Sequence, residues 1–387
     1  MRAQITGWSH LPFGKRDEPD VESLMRAVTS DALRHAGVEA RDLDGIFVGV
    51  MNNGFSRQGF EASLVGVGVP ELSHLPAMRA ENACATGSAA LYAALDFIEA
   101  GRGRIALVVG AEKMTALPTG DVGDVLLCAS YHREESQYAG FAGIFAEIAR
   151  RYFARYGDKS WEMAMIAAKN HRNGVGNPYA HIRKDLGFDF CNTVSEKNPY
   201  VAEPLRRTDC SLISDGAAAL VVADERTARS LPRRIGFRAR AQANDILPIS
   251  RRDPLEFAGA RRAWAQALGA AGLSLEDLDL IELHDCFTIA ELIAYEAMGW
   301  VPRGDGARVV REGWAEKSGR LPVNPSGGLK AKGHPIGATG VSMHIVAAMQ
   351  LLGEAGELQI PNARLAGVFN MGGVSVANYV SILERVE

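Results

Sequence analysis

Cys84 has the sequence context of a cysteine that could act as a nucleophile. It is followed by Ala-Thr-Gly-Ser-Ala-Ala, which leaves room for a substrate, and by an apolar segment predicted to be a helix from Gly87 to Ala100. The N-terminus of a helix carries a partial positive charge and free N–H groups, which favour a thiolate over a thiol and lower the pKa of a cysteine. Cys84 could instead be a small buried hydrophobic residue, so its interpretation as a nucleophile depends on a nearby base.

His334 could supply that base. It lies in KGHPIGATG, at the start of another apolar helical segment, and follows the glycine-containing turn Asn324-Pro-Ser-Gly-Gly328. Glycines let the backbone approach a ligand closely. A histidine that only caps a glycine-rich turn is the alternative interpretation.

A second histidine and a second thiol lie two residues apart in the motif HDCFT. His284 and Cys286 are at the end of a strand predicted from Ile281, and alternation along a strand puts both on one face. Strand ends in α/β folds open onto ligand crevices, and an imidazole can orient or activate a thiol for proton transfer. Cys286 could also be a buried strand cysteine, and Asp285 is predicted to be a turn or capping residue.

Two further features could bind anionic groups. The segment Asn370-Met-Gly-Gly373 follows an apolar strand and could direct backbone N–H groups at an oxyanion, although a hairpin turn has the same pattern. Four basic residues could meet phosphates or form a solvated basic face: Arg183, Lys184, Arg206 and Arg207.

The chain repeats itself loosely, which predicts how these residues are brought together. AGVEARDLDGI at 36–46 and AGLSLEDLDLI at 271–281 share six residues in register. In both halves a strand, the helical segment that begins near Cys84 or His334, an apolar β-rich run and a closing strand then follow in the same order. A pseudo-twofold relation between the halves would place the starts of two buried helices, and therefore Cys84 and His334, near one another.

The fold class predicted from this repeat is α/β, with two similar halves that share a layer of buried helices. The halves are placed at residues 1–235 and 236–387, and the second ends with a strand from Val374 to Leu383. Residues from about 115 to 207 have no counterpart. They are interpreted as a loop domain inserted into the first half, where it could cover a site.

The composition argues against several classes of protein. A length of 387 residues suffices for a large core, and a net charge of −4 without a charged tail argues against binding to nucleic acid or to a membrane surface. The charge-free stretches 333–353 and 365–383 contain turn residues and are not expected to span a bilayer, and no secretory signal is expected. Five cysteines without CxxC spacing argue against a disulfide framework or a structural metal site. We expect a cytoplasmic protein.

Five motifs together resemble the thiolase superfamily, in particular its sterol-carrier-protein and archaeal types. In chain order they are ENACATGSAA, DGAAALVVAD, HDCFTIAELIAYEAMG, NPSGGLKAKGHPIGATG and FNMGGVSVANYV, and the resemblance covers nearly the whole chain. It implies a five-layered α-β-α-β-α fold with an inserted loop domain, a homodimer or tetramer, acyl-CoA substrates, and no metal or tightly bound cofactor. Archaeal-type relatives also associate with small OB-fold, zinc-containing partner proteins.

The resemblance also implies roles for individual residues. Cys84 would accept the acyl group and His334 would activate it, in a reaction that makes or breaks the carbon–carbon bond of a 3-ketoacyl-CoA. His284 takes the place of the asparagine in the family's Asn-Glu-Ala-Phe loop. Cys286 would replace the acid/base cysteine of the usual Cys-x-Gly turn, because Asn370 stands there. Asn324 would also be catalytic, by holding a water that supports the enolate oxygen. Three residues are expected on the coenzyme A and oxyanion side: Ser326, Gly327 and Gly372.

Two other functions stay open. A decarboxylating ketoacyl synthase has a Cys-His-His set like Cys84, His284 and His334, but it needs no second thiol and is expected to carry HGTGT where this chain has HDCFT. The other is a catalytic subunit that works only with a small OB-fold, zinc-containing partner, as a thiolase or as a CoA-ester aldolase. Such aldolases are expected to have lost the nucleophilic cysteine, which this chain retains.

Overall fold

The structure, a computed structural model, describes residues 2–386. The outermost residues of the two expected halves, Met1 and Glu387, therefore lie outside the described range. The strands are β1 (Ala3–His10), β2 (Gly45–Gly49), β3 (Ala77–Ala80), β4 (Ile105–Glu112), β5 (Tyr200–Ala202), β6 (Leu205–Arg206), β7 (Gly216–Asp224), β8 (Ile235–Asn244), β9 (Leu280–Leu283), β10 (Leu365–Gly372) and β11 (Ala377–Arg385).

The helices connect and cover these strands. They are α1 (Val21–Ala36), α2 (Glu61–Gly68), α3 (Thr86–Glu99), α4 (Thr119–Leu127), α5 (His132–Glu135), α6 (Gly140–Tyr156), α7 (Ser160–Gly174), α8 (Phe188–Asn192), α9 (Glu225–Ala228), α10 (Ala258–Ala271), α11 (Thr288–Ala297), α12 (Gly306–Arg311), α13 (Gly328–Lys332) and α14 (Ile336–Leu352). None of the helices within residues 2–386 is both long and apolar enough to cross a membrane.

The main sheet shows the two similar halves that the sequence repeat predicts. Its strand order is β3-β2-β4-β7-β1-β8-β11-β10-β9, and the halves meet where Ile5 of β1 pairs with Ile235 of β8. On either side of this junction the pairing is the same: two antiparallel steps, to β7 and β4 or to β11 and β10, and then a parallel step, to β2 or β9. The parallel bridge from Ile281 to Val323 takes the place of β3.

Helices on both faces of these strands form five layers. Leu24 and Met25 of α1 pack on the outer face of the first-half strands with Leu107, and α10 covers the outer face of the second half, where the ring of Trp264 lies 6.2 Å from that of Phe369. Helices α3 and α14 lie between the two sets of strands. Each of them contacts β4, and the two helices also contact each other. The α-β-α-β-α fold is therefore confirmed.

The two central helices approach each other closely at their N-termini. A Cβ atom on Gly87 would lie 2.8 Å from the carbonyl oxygen of Gly337, and one on Gly340 would lie 2.3 Å from the backbone nitrogen of Ser88. These contacts leave no room for a side chain, so glycine is required for the crossing. The crossing brings together the residues that precede the two helices.

Two strand boundaries differ from the sequence prediction. β11 begins at Ala377 instead of Val374, because Gly373 (φ 62°) and Ser375 (φ 51°) adopt left-handed conformations and form a turn. β9 ends at Leu283, so the HDCF motif lies in the loop that follows the strand. The segment between β4 and β7 contains α4–α8 and the small β5–β6 sheet.

Candidate active site

Three side chains from different parts of the chain converge at the start of the central helices. The sulfur of Cys84 and one ring nitrogen each of His284 and His334 lie within 4.8 Å of one another. The two imidazole rings are nearly perpendicular, at 83°, with centroids 5.1 Å apart. The geometry thus brings the proposed nucleophile and the proposed base together from residues 250 positions apart in the sequence.

The backbone around Cys84 is a tight turn that leads into α3. Ala83 has a left-handed φ of 50°, and the backbone N–H of Ala85 donates to the carbonyl oxygen of Asn82 over 3.1 Å. The Thr86 hydroxyl accepts from the Asn82 N–H over 2.8 Å. The carbonyl oxygen of Cys84 accepts from the amide of Asn370 over 3.0 Å, which ties this turn to β10.

The hydrogen bonds of His334 place a lone pair on its Nε2 atom. Its Nδ1 lies 2.7 Å from the hydroxyl oxygen of Thr339, and that hydroxyl donates its own proton to the carbonyl of Pro335. The hydroxyl oxygen must therefore accept from an Nδ1–H. In a neutral ring Nε2 is then unprotonated, and it has no hydrogen-bond partner among residues 2–386. His334 is oriented as a base.

The hydrogen bonds of His284 place a proton on its Nε2 atom. Asn370 donates from Nδ2 to the Cys84 carbonyl, which can only accept, and its Oδ1 accepts from the Ser88 hydroxyl over 2.7 Å. This orientation makes Nδ2 the donor to His284 Nδ1 as well, over 3.0 Å. The neutral ring then carries its proton on Nε2, so His284 is a hydrogen-bond donor.

The resting cluster is uncharged. Burial raises the pKa of the Cys84 thiol to about 12, although the N–H groups of Gly373 and of Cys84 itself bond to the sulfur and lower it. Burial, with a smaller effect of the Lys332 charge, lowers the pKa of His334 to about 3, and burial lowers that of His284 well below its ordinary value. The backbone N–H groups therefore lower the pKa of Cys84, as the sequence analysis expects of a helix terminus, but burial outweighs them and the net pKa is raised.

The raised pKa of Cys84 predicts an unusual pH profile for alkylation. An ordinary cysteine has a pKa of about 8.5, so its labelling by iodoacetamide levels off above roughly pH 9. Labelling of Cys84 in the folded protein should continue to rise through that range, because most of the thiol is still protonated there. The rate would be measured by mass mapping of the Cys84 peptide, with the unfolded chain as control. A plateau at about pH 9, as for an ordinary cysteine, or at a lower pH would contradict the assignment.

Cys84, Cys286, His334 and Gly373 line a cavity of about 440 Å³. Its walls are largely apolar. Most of the lining residues come from the inserted segment and the residues after it: Thr119, Gly120, Gly123, Asp124, Leu126, Ala129, 139–142, Val201 and 210–213. The insertion therefore lies beside the site, as the sequence analysis expects. Cys286 is buried, and its pKa is raised well above the usual value by burial and by the neighbouring Cys84 and Asp285.

Four of the residues expected at the site make other contacts in the structure. Asn324 does not reach the cavity: its Oδ1 accepts from the Leu283 N–H over 2.7 Å and its Nδ2 donates to Glu291 over 3.1 Å. The hydroxyl of Ser326 donates to Glu282 over 2.6 Å. These contacts hold the loop under the site. The other two positions are glycines: Gly327, which packs against Gly174, and Gly372, whose successor Gly373 supplies the N–H at the Cys84 sulfur.

Other residues that shape the site are not evident from the sequence. Thr339 and Ser88 fix the two histidines only through the contacts above, and both have the ordinary appearance of small polar residues in a helix. Asp285 accepts from the N–H groups of Leu329 and Lys330 and so caps α13, which agrees with its interpretation as a capping residue. Of the four basic residues, Arg206 is buried and paired with Asp209, whereas Arg183, Lys184 and Arg207 are exposed.

Comparison with known proteins agrees with this geometry. Residues 4–226 match the family described as "Thiolase, N-terminal domain", and residues 241–385 match "Thiolase C-terminal domain-like". The chain is 35% identical to an acetyl-CoA acetyltransferase of Methanothermobacter thermautotrophicus over 98% of this chain and 99% of that protein. It is 33% identical to human sterol carrier protein 2 over 92% of this chain and 66% of that protein. A solved structure described as "Ltp2-ChsH2(DUF35) aldolase" superimposes with a TM-score of 0.82 at 21% identity, covering 99% of this chain and 98% of that one. The chain belongs to the thiolase family of acyltransferases.

Proposed function

We propose that this thiolase makes or breaks the carbon–carbon bond of a 3-ketoacyl-CoA through an acyl group held on Cys84. The observation that carries the proposal is the convergence of the Cys84 sulfur with the unprotonated Nε2 of His334. Transfer of the thiol proton to His334 forms a thiolate only when a substrate is present. The thiolate then attacks the thioester carbonyl, which replaces one difficult exchange by two easier steps.

Two sets of donors serve the two oxyanions of the reaction. The backbone N–H groups of Cys84 and Gly373 lie against the sulfur and stabilise the tetrahedral centre that forms there. The Nε2–H of His284 donates to the oxygen of the second thioester, whose enolate develops during condensation. These fixed donors act in a buried site, where hydrogen bonds to a developing charge are strongest.

Cys286 moves the other proton. During acylation it protonates the sulfur of the departing coenzyme A and becomes a thiolate. It then removes the α-proton of the second acyl-CoA, whose carbon attacks the acyl group on Cys84. Collapse of the tetrahedral centre releases the Cys84 sulfur, which recovers its proton from His334, so all protons balance. Because burial raises the pKa of Cys286, its thiolate is a strong base. A second thiol in the cavity also favours this reaction over that of a ketoacyl synthase.

Incubation with acetyl-CoA tests the covalent step. The protein should gain one acetyl group and release coenzyme A, and peptide mapping should locate the acetyl group on Cys84. An acetyl group found only on another residue, or no acetylation with any acyl-CoA, would refute the proposal.

The proposed assembly is a homodimer. β3 is an end strand of the main sheet. Two large apolar side chains near this edge are exposed: Met78 of β3 at 45%, and Phe60, which precedes α2, at 81%. An exposed edge strand pairs readily with another chain. We also propose that the two halves of the chain divide between residues 235 and 236. The proposed substrates are acyl-CoA esters, with no tightly bound cofactor, and the proposed location is the cytoplasm.

A second candidate is a thiolase subunit that needs a small partner. It is favoured by one finding, that the superimposing aldolase structure is described with a second component, ChsH2(DUF35). The retained Cys84 argues against a CoA-ester aldolase, and a thiolase that needs a partner would also retain it. A purified chain that transfers no acyl group until a co-purified small subunit is restored would support the second candidate.

The cavity also predicts which residues limit the acyl chain. Gly120 and Gly123 lie three residues apart on α4, line the cavity, and have open space where a Cβ atom would project. We expect Gly123→Leu to reduce kcat/KM for long acyl-CoAs by at least about tenfold and to leave acetyl-CoA nearly unchanged. Steady-state assays over a chain-length series would measure this. Gly269→Leu on α10 is the matched control, because that glycine also has open space above it but lies outside the cavity. A uniform loss on all chain lengths would contradict the prediction.

A further inference from the structure

The cluster at the active site has the composition of a metal site. One thiol and two imidazoles are ligands that zinc prefers, and ligands at tetrahedral or trigonal angles on a common zinc ion lie about 3.4 to 3.8 Å apart. The three ligand atoms here lie within 4.8 Å of one another. A shift of roughly 1 Å would therefore complete a three-ligand site that would trap the nucleophile.

The orientation of Asn370 opposes this. For His284 to bind a metal through Nε2, its proton must move to Nδ1, where it would face the Nδ2 amino group of Asn370. Rotation of the amide would not relieve the conflict, since it would set the Asn370 carbonyl against the Cys84 carbonyl. Either change leaves buried polar groups unpaired, which weakens metal binding by roughly ten- to hundredfold.

We propose that Asn370 is a positioning residue that keeps the proton of His284 on Nε2, and thereby keeps the cluster a hydrogen-bonding site and prevents it from becoming a metal site. Ser88 supports the same orientation from the other side of the amide, over 2.7 Å. The value of His284 as an oxyanion donor rests on the proposed function, whereas its resistance to metal does not.

The tautomer can be read directly in the unmodified protein. Nitrogen-15 spectra of histidine-labelled protein distinguish a protonated Nε2 from a protonated Nδ1, and His284 is assigned by the signal that is lost in His284→Gln. We expect the Nε2–H form. An Nδ1–H form of His284 would overturn the proposal without any variant of Asn370 having to fold.

Asn370→Asp tests the consequence. Its carboxylate would accept a proton from His284 Nδ1, which frees Nε2 and supports it as a ligand in the way that carboxylates support metal-binding histidines. We expect the variant to bind Co²⁺ at least about tenfold more tightly than the wild type, with a thiolate-to-cobalt absorption band that Cys84→Ala removes. Ser88→Ala, which loosens the amide, should give an intermediate affinity.

Gln350→Glu is the matched control, because Gln350 is also a buried amide, bonded to Leu358 and Ile360 near the other end of α14. It should leave Co²⁺ affinity at the wild-type level. Equal affinities in wild type and Asn370→Asp, or a cobalt site that does not depend on Cys84, would refute the proposal. These measurements use no substrate, so their failure is distinct from a failure of acetylation at Cys84.

Discussion

Cys84→Ala reduces acyl transfer by about 10⁴- to 10⁶-fold, the loss typical of an enzyme that loses its covalent nucleophile. The neighbouring groups cannot compensate. His284 presents an N–H and not a lone pair, and Cys286 is not part of the cluster in which the Cys84 sulfur lies beside His334. The rate would be measured as coenzyme A release from acyl-CoA, and intact-protein mass should show no acyl group on the variant.

Cys128→Ala is the control for this prediction. Cys128 is a free, exposed cysteine just after α4. It is not among the described residues that line the cavity. We expect it to retain full activity. Cys84→Ser should remain far below wild type, because the neutral hydroxyl is a poorer nucleophile at the same place. Substantial turnover in Cys84→Ala would mean that the acyl group is carried elsewhere.

The arrangement of the layers could be predicted from the sequence because its signals are local and repeated. The recurrence of AGVEARDLDGI as AGLSLEDLDLI marks the same helix-to-strand connection in both halves. The glycines of the two helix-starting motifs, among them Gly87 and Gly337, allow the close crossing that joins Cys84 to His334. The repeat therefore predicted that Cys84 and His334 lie close together, although they are far apart in the sequence.

The protonation of the site could not be predicted in the same way. The Ser88–Asn370 hydrogen bond joins residues 282 positions apart, and no motif announces it. Burial raises the pKa of Cys84, and the cluster that Cys84 packs against contains Met51, Val122 of the inserted segment and Ile336 of the second half. An argument from the local helix terminus omits these distant residues. Ser326 was misplaced because the glycine-rich turn that contains it serves the packing of the loop beneath the cavity.

The proposed oxyanion donor at the end of β10 differs by one residue from the donor expected from the sequence: it is the N–H of Gly373 and not that of Gly372. The segment that ends β10 reaches the cavity at Gly373, whereas Gly372 continues the strand and pairs with Ala377. The left-handed conformation begins at Gly373. The turn therefore presents the N–H of Gly373 to the Cys84 sulfur. Which of the two glycines does so depends only on the register of the β10–β11 hairpin.

Cys286→Ala should separate the two halves of the reaction. Acylation of Cys84 keeps His334 and the backbone donors in this variant. It loses only the proton that Cys286 gives to the sulfur of coenzyme A, which can also depart as a thiolate. Removal of the α-proton, in contrast, needs the Cys286 thiolate as its base. We expect the variant to form the acyl-enzyme and to condense or cleave about 10²- to 10⁴-fold more slowly, the usual contribution of a general base. Intact-protein mass after mixing with acetyl-CoA would show a persistent acetyl group, and product analysis would show little acetoacetyl-CoA.

Cys210→Ala makes this test specific to Cys286. Cys210 also lines the cavity, and burial likewise raises the pKa of its thiol, to about 12, but its sulfur bonds to the carbonyl of Arg206. If loss of any cavity thiol disturbs packing enough to slow condensation, both variants will be impaired alike. If Cys286 moves the α-proton, only Cys286→Ala will accumulate the acyl-enzyme. In that variant the nucleophile Cys84 is intact, but condensation with the second acyl-CoA has lost its base. Condensation at the wild-type rate in Cys286→Ala would instead leave His334 as the group that handles both protons.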